Sequence, residues 1–476
     1  MTNQPRRSPA STRNRSATPV DPARRAAYDV LHEVGAGAGY ANLVARQVFD
    51  QYRLDTRDAA FATELVMGVL RLRGTLDAVL AACVDRPLAK LDPRLLDVLR
   101  LGAYQLLFLG TPTHAAVNTS VDLTAAVCGR GPTGLTNAVM RKVARRDRAQ
   151  WLATITDGLA DPIEVLAAAY SHPRWVIAAL RDALAADPAV PRADVDAHLT
   201  ALLAINNEPP GVTLVARPGR IEVAQLLSSA PHSTPGRWSP YAVGLTSGKP
   251  GDVAAVRSQQ AGVQDEGSQL MAMACADTTV SGRDRYWLDM CAGPGGKAAL
   301  VAAIGAQRGA QLVAVEPRAA RARLVHRALA GSPGVHVTVQ ADGRAGPWSA
   351  ATFDRILLDA PCTGLGVLRR RPESRWRRTP TDVSMLAALQ RELLRSAITA
   401  ARPGGVIAYV TCSPHIAETD LVVDDILAER ADVEPVDART ALPDALTETL
   451  GPGPRVRLWP HLHGTDGMFL ALLRRT

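Results

Sequence analysis

Aromatic residues make up only 4% of this 476-residue chain, and no apolar run approaches the roughly 18–20 residues needed to cross a bilayer. A membrane-spanning helix is therefore not expected, and alanine fills much of the volume that aromatics would take. The first residues carry arginines with no apolar stretch behind them, so a secretory leader is not expected either. Six cysteines (Cys83, Cys128, Cys275, Cys291, Cys362, Cys412) are scattered without a Cys-x-x-Cys pair. That spacing argues against a disulfide framework and against a zinc site, and no metal is expected. A reducing cytoplasm, where thiols stay free to react, fits best. What is present is 47% hydrophobic and 21% charged residues, a globular composition long enough for two or three domains. The net charge of +8 and a pI near 9.4 favour a polyanionic partner. A monomer is expected.

Four segments follow along the chain. Residues 1–22, with Arg6, Arg7, Arg13 and Arg15 among Ser, Thr and Pro, hold too little apolar surface to offset the entropy of ordering and read as a disordered basic tail. Residues 23–149 read as an all-helical bundle. Asp21-Pro22 is a helix start, and apolar positions recur at helical spacing from Ala27 and over 59–72, 75–83, 93–109, 115–127 and 134–145. A basic run (Arg141, Lys142, Arg145, Arg146, Arg148) closes it, either a solvated helix end or an RNA contact. Residues 150–259 read as a small α+β connector, with a strand at 212–216, a helix near 222–227, and dense Pro, Gly and Ser over 229–251. From 260 a helix entry leads into alternating strands and helices, the pattern of a doubly wound α/β domain reaching residue 476. Strands are expected near 286–289, 311–316, 335–339, 353–359 and 405–411. An antiparallel pair at 456–459 and 468–473 completes a seven-stranded sheet.

Ligands of such sheets bind beyond the carboxyl ends of the strands. Two strands deliver thiols there. Ile356-Leu-Leu-Asp-Ala-Pro-Cys362 ends in Asp359 and Cys362, and Gly405-Val-Ile-Ala-Tyr-Val-Thr-Cys412 ends in Cys412. Small buried thiols are the bland alternative, but a matched pair on one sheet edge suits nucleophilic chemistry. An earlier strand, loop and helix start, Asp289-Met-Cys-Ala-Gly-Pro-Gly-Gly-Lys297, fits a ligand approached closely by backbone. A phosphate-binding Walker loop fails, since Cys291 and Ala298 stand where Gly and Ser or Thr are required. Gly293-x-Gly295-x-x-Ala298 satisfies a loose dinucleotide fingerprint, and Glu316 on the next strand could hold a ribose of a dinucleotide or of S-adenosylmethionine. Beyond Cys362, Leu368-Arg-Arg-Arg-Pro-Glu-Ser-Arg-Trp-Arg-Arg378 sets six arginines around one tryptophan. A solvated charge run is the usual reading of such a stretch. Flanking the thiol strand and carrying a stacking residue, Arg369, Arg370, Arg371, Arg375, Trp376, Arg377 and Arg378 are read as RNA contacts.

The set Asp289 to Lys297, Val315-Glu-Pro317, Asp342-Gly343, Asp359-Ala-Pro-Cys362 and Thr411-Cys-Ser413 resembles the RNA 5-methylcytosine methyltransferases. The helical bundle, including Asn137-Ala-Val-Met-Arg-Lys-Val143, is similar to the RNA-binding antitermination factor NusB. It narrows the resemblance to the bacterial 16S rRNA branch called Sun or Fmu, as does the ending Pro460-His-x-x-Gly-Thr-Asp-Gly-Met-Phe469. The chain departs from that family at Gly293, where alanine is commoner, and at Val215-Ala-Arg217, which follows its strand loosely. The resemblance implies a Rossmann-like S-adenosyl-L-methionine-dependent methyltransferase domain. It implies a cofactor held by Cys291, Ala292, Gly293, Pro294, Gly295, Gly296, Lys297, Glu316, Asp342 and Asp359. It also implies Cys412 as nucleophile, Cys362 as the residue aiding release, and Asp359 on the edge of the base. The residues alone leave open which thiol attacks. A tRNA substrate, or an RNA-binding assembly factor without the chemistry, are the competing readings.

Overall fold

In the computed structural model of the chain the structure describes residues 20–476 apart from Ala38, so most of the expected basic tail lies outside the described residues. The chain divides into two compact units, 1–158 and 159–476.

The first unit is helical. Asp21 caps the helix Pro22–Gly35, its carboxylate accepting from the Arg24 N–H at 2.9 Å with Pro22 in the first turn. The expected runs at 59–72 and 75–83 are one helix, Thr56–Ala81. Gly74 between them costs about 1 kcal/mol in a helix, less than burial of Val69, Leu70, Leu76, Val79 and Leu80 returns. The helix Ala41–Tyr52 went unread because its buried face is only Ala41, Val44 and Val48. The helices Pro93–Leu107, Thr113–Cys128, Thr133–Val143 and Arg148–Thr156 complete the bundle.

The second unit opens with helices Pro162–Tyr170, Arg174–Ala185 and Val195–Ile205. A four-stranded antiparallel sheet follows, built of β1 (Val212–Ala216), β2 (Ser233–Pro235), β3 (Ala242–Leu245) and β4 (Ala261–Val263) in the order β2-β3-β1-β4. β2 and β3 fall in the Pro/Gly/Ser-rich stretch, and at three and four residues they are too short to show alternation. Arg217, just past β1, donates to the carbonyls of Gln259 and Ala328 at 2.8 and 3.0 Å. It thereby ties this small sheet to the end of the helix Ala319–Leu329.

The large sheet comprises β5 (Tyr286–Asp289), β6 (Gln311–Val315), β7 (Val335–Val339), β8 (Phe353–Asp359), β9 (Ala401–Thr411), β10 (Val433–Val436), β11 (Val456–Leu458) and β12 (Met468–Arg475). Its order is β10-β12-β9-β8-β5-β6-β7, with β11 paired to β12. β5 to β9 run parallel, and β12 lies antiparallel to β9. The seven strands read from sequence are all present, and β10 is an eighth. Pro435 hid it, yet β10 is an edge strand, where a missing N–H is tolerated. The chain reverses its winding between β5 and β8, and that switch point is where an open α/β sheet places its ligand. Among the described residues no helix is long and apolar enough to cross a membrane.

Candidate active site

At the switch point β5 hands over to the glycine loop. The Met290 N–H donates to the Leu357 carbonyl at 2.9 Å and the Ala292 N–H to the Val315 carbonyl at 2.8 Å, so the loop is pinned to both neighbouring strands. Gly295, at φ +110°, turns the chain into the helix Gly296–Gln307, where a Cβ would meet that of Ala328 at 2.6 Å. The first turn of this twelve-residue helix leaves N–H groups for a ligand. Asp289 is fully buried beneath the loop. One oxygen accepts from the Cys291 N–H at 3.3 Å, and Oδ2 has no hydrogen-bond partner among the described residues. Burial, reinforced by the charge of Asp359, pushes its pKa up to about 8.

Glu316 closes the other side of the loop. One carboxylate oxygen accepts from the Arg318 N–H at 3.0 Å and the other lies 3.5 Å from Arg321 Nε. A Cβ on residue 293 would come within 2.1 Å of Glu316 Oε2, so the glycine leaves that carboxylate the space it occupies. Asp342 lies past β7, beside Gly343, whose α-carbon is packed against Met290. Its carboxylate is gripped by Arg344 at 2.7 Å, which holds its pKa below the usual range. A buried acid with one unpartnered oxygen, a crowded glycine turn, a free helix start and a carboxylate on the next strand together fit a nucleoside-bearing cofactor.

The thiols stand one strand over. β8 and β9 are in parallel register with Asp359 opposite Val410, so Cys362 and Cys412 leave the sheet side by side, with their Sγ atoms 3.4 Å apart. The Gly366 N–H donates to the Cys412 carbonyl at 2.9 Å, and the Gly467 N–H to the Gly366 carbonyl at 2.8 Å. A Cβ on Gly366 would sit 2.0 Å from the Gly467 oxygen, so only glycine permits this backbone crossing behind Cys412.

Lys297, from the helix start, reaches across to Asp359 at 2.9 Å. Burial pulls the Lys297 ammonium down, but Asp359 together with Cys412 and Asp289 outweighs it and the net shift is upward, so the cation is secure. The Cys412 thiol is shifted down, first by the hydrogen bond with Cys362, with Lys297 and Arg371 adding to it against burial and the charge of Asp359. Cys362 moves the other way, held protonated by that same hydrogen bond and by burial. Of the two thiols, Cys412 is thus the one that ionises more readily.

Sequence reasoning assigned Lys297 to the cofactor and missed its contact with Asp359. It also missed Glu418, a fully buried carboxylate whose six-residue spacing from Cys412 carries no local signal.

The arginine run divides, and part of the expected RNA contact is corrected. Arg375 is fully buried, donating to the carbonyls of Ser171 and Asn206 and to Asn207 Oδ1 at 2.8–3.1 Å. Arg370 forks onto Asp265 and Asp466 at 2.8 and 2.9 Å. Arg369 is buried beside it. These three hold the loop after β8 against the connector and the β11–β12 turn, because a buried guanidinium must find acceptors. Arg371, Trp376, Arg377 and Arg378 are part-exposed. Among the described residues no group of three or more His, Cys, Asp or Glu side chains is placed to hold a metal ion.

Comparison with known proteins gives a consistent set of likenesses. Residues 279–474 match the family described as 16S rRNA methyltransferase RsmB/F, and residues 21–145 match the NusB family. The chain is 49% identical to "Putative methyltransferase Rv1407" of Mycobacterium tuberculosis, over 96% of this chain and 97% of that one. It is 32% identical to the ribosomal RNA small subunit methyltransferase B of Escherichia coli, over 81% of this chain and 85% of that one. The fold is similar to the crystal structure of PH0851, with a TM-score of 0.78 at 20% identity, covering 97% of this chain and 100% of that one.

Proposed function

Because the chain belongs to the RsmB/F family of 16S rRNA methyltransferases, we propose that it methylates carbon 5 of a cytosine in small-subunit rRNA through a covalent bond to Cys412. Methyl transfer to RNA follows from the family, and S-adenosyl-L-methionine is the cofactor, supplying a methyl group on a positively charged sulfur. The loop 291–297, Glu316 and Asp342 would hold it. The cysteine chemistry is the finer step, and the observation that carries it is the 3.4 Å contact between two unlike thiols beside the Lys297–Asp359 pair.

Carbon 5 of cytosine is a poor nucleophile until a nucleophile adds at carbon 6. Cys412 is suited to add, since a lowered pKa raises its thiolate fraction at neutral pH. Asp359, fixed by Lys297, accepts the exocyclic amino group of the base, and the Lys297 ammonium answers the negative charge that addition pushes into the ring. Once carbon 5 carries the methyl group, its proton is lost to solvent and the carbon–sulfur bond breaks. Cys412 leaves as thiolate and Cys362 receives it in the hydrogen bond of the resting state. The base must be unpaired or flipped to reach this edge, at a cost of a few kcal/mol. We assign Arg371, Trp376, Arg377 and Arg378 to the RNA, Arg371 because its charge already reaches Cys412.

Bisulfite sequencing of 16S rRNA and tRNA from a strain lacking the protein tests the reading. One 16S cytosine should lose its protection. Loss confined to tRNA would replace the substrate, and no loss in either would overturn the proposal.

A further inference from the structure

Beneath the two thiols lies a carboxylate that the reaction does not consume. Glu418 ends the short turn Ile416–Glu418 and is 0% exposed. A buried carboxylate persists only where its lone pairs are met. Here Oε1 accepts from the Thr363 N–H at 2.8 Å and from Gln390 Nε2 at 3.2 Å. Oε2 accepts from Ser413 Oγ at 2.6 Å and from the Thr363 hydroxyl. Thr363 follows Cys362 and Ser413 follows Cys412, so one side chain grips the residue next to each thiol. Gln390 also donates to the Pro361 carbonyl at 2.8 Å, on the near side of Cys362, and Tyr409 OH donates to the Glu418 carbonyl at 2.7 Å.

The ladder between β8 and β9 ends with the Ala360 N–H on the Val410 carbonyl, at 2.8 Å. Past that point the ladder stops, and the two loops are joined by the Gly366 N–H on the Cys412 carbonyl, by a 3.1 Å contact between the Thr363 and Ser413 hydroxyls, and by the Glu418 carboxylate that grips both hydroxyls. We propose that Glu418 is the positioning residue of the cysteine pair, its carboxylate tying the loop after β8 to the loop after β9 and so setting the contact between the Cys362 and Cys412 sulfur atoms. This rests on the covalent reading above and deepens it. A thiol donates to a thiolate only at short range, so without the tie the two sulfur atoms would separate. The charge of Glu418 also bears on Cys362, helping to keep the proton there and leave Cys412 the thiolate.

The test uses the full-length protein and iodoacetamide. Alkylation rates of Cys412 and Cys362 are followed separately by mass spectrometry between about pH 6 and 10, alongside the melting temperature. In the native chain Cys412 should react faster at neutral pH. Glu418→Ala should cut the Cys412-to-Cys362 rate ratio by roughly tenfold, the change that one unit of pKa separation makes in thiolate fraction. Glu418→Gln, which keeps one acceptor for the Thr363 N–H and can donate to both hydroxyls, should fall between. Ser413→Ala removes a single tie and should lower the ratio with little change in melting temperature, which keeps the test open if Glu418→Ala does not fold. An unchanged ratio in Ser413→Ala and Glu418→Gln, whatever the melting temperature, would overturn the positioning role. Equal rates in the native chain would count instead against the cysteine reading on which it rests.

Discussion

Arg375 decides whether the arginine run is an RNA surface or an internal staple. Its guanidinium is fully buried and donates to three acceptors, two carbonyls and the Asn207 side chain. Arg375→Ala would leave those acceptors under a cavity the size of the side chain. Each buried unsatisfied group costs about 1–3 kcal/mol, and partial relaxation keeps the three from adding fully. A loss of about 3–5 kcal/mol is expected, and at about 2 °C per kcal/mol for a unit of this size the melting temperature should fall by roughly 6–10 °C. Differential scanning calorimetry of the full-length chain reads that shift. RNA affinity measured against salt concentration, at a temperature where the variant is folded, should keep the native slope, because no phosphate contact is lost. A melting shift below about 1 °C together with a flatter salt slope would refute the assignment and return Arg375 to the RNA surface.

Three further outcomes follow from the same geometry. S-Adenosylmethionine at about one hundred times its Kd should stabilise the chain by about 2.7 kcal/mol, NAD should not, and Glu316→Ala should weaken the effect of S-adenosylmethionine; thermal shift measures all three. Lys297→Met should lower methylation of RNA roughly 100-fold or more with the fold intact, since Asp359 loses its cation; single-turnover transfer of labelled methyl checks it. His463 accepts from the Trp459 N–H through Nδ1, and burial holds its pKa down to about 4 against an ordinary value of 6.5. The unfolded chain therefore binds more protons in that window, so stability should fall as pH drops from 6.5 to 4, and His463→Gln should make urea unfolding less steeply pH-dependent there.

The legible parts of the molecule were those with local causes. Asp21-Pro22 caps a helix whatever follows, and the ends of β8 and β9 were readable because apolar runs stop at turn residues. The two cysteines could be placed together on that evidence alone, since neighbouring strand ends of a parallel sheet share an edge. What escaped depends on partners far along the chain. Glu418 reads as surface charge until Thr363, 55 residues earlier, is folded against it. Arg370 meets Asp466 across 96 residues and Arg375 meets Ser171 across 204, so a run read as RNA contacts is half internal. β2, β3 and β10 are short, and two of them contain proline, so their pairing comes from neighbours rather than from propensity.

The central claim, that Cys412 bonds to the base and Cys362 serves its release, is tested most directly by trapping. Each Cys→Ala variant is incubated with labelled RNA and S-adenosylmethionine and run on a denaturing gel. Cys362→Ala should attack, stall with the RNA attached, and give a shifted, heat-stable band, while Cys412→Ala should give none. A band from Cys412→Ala and none from Cys362→Ala would exchange the two roles. Full methylation by both variants with no band from either would contradict the covalent mechanism.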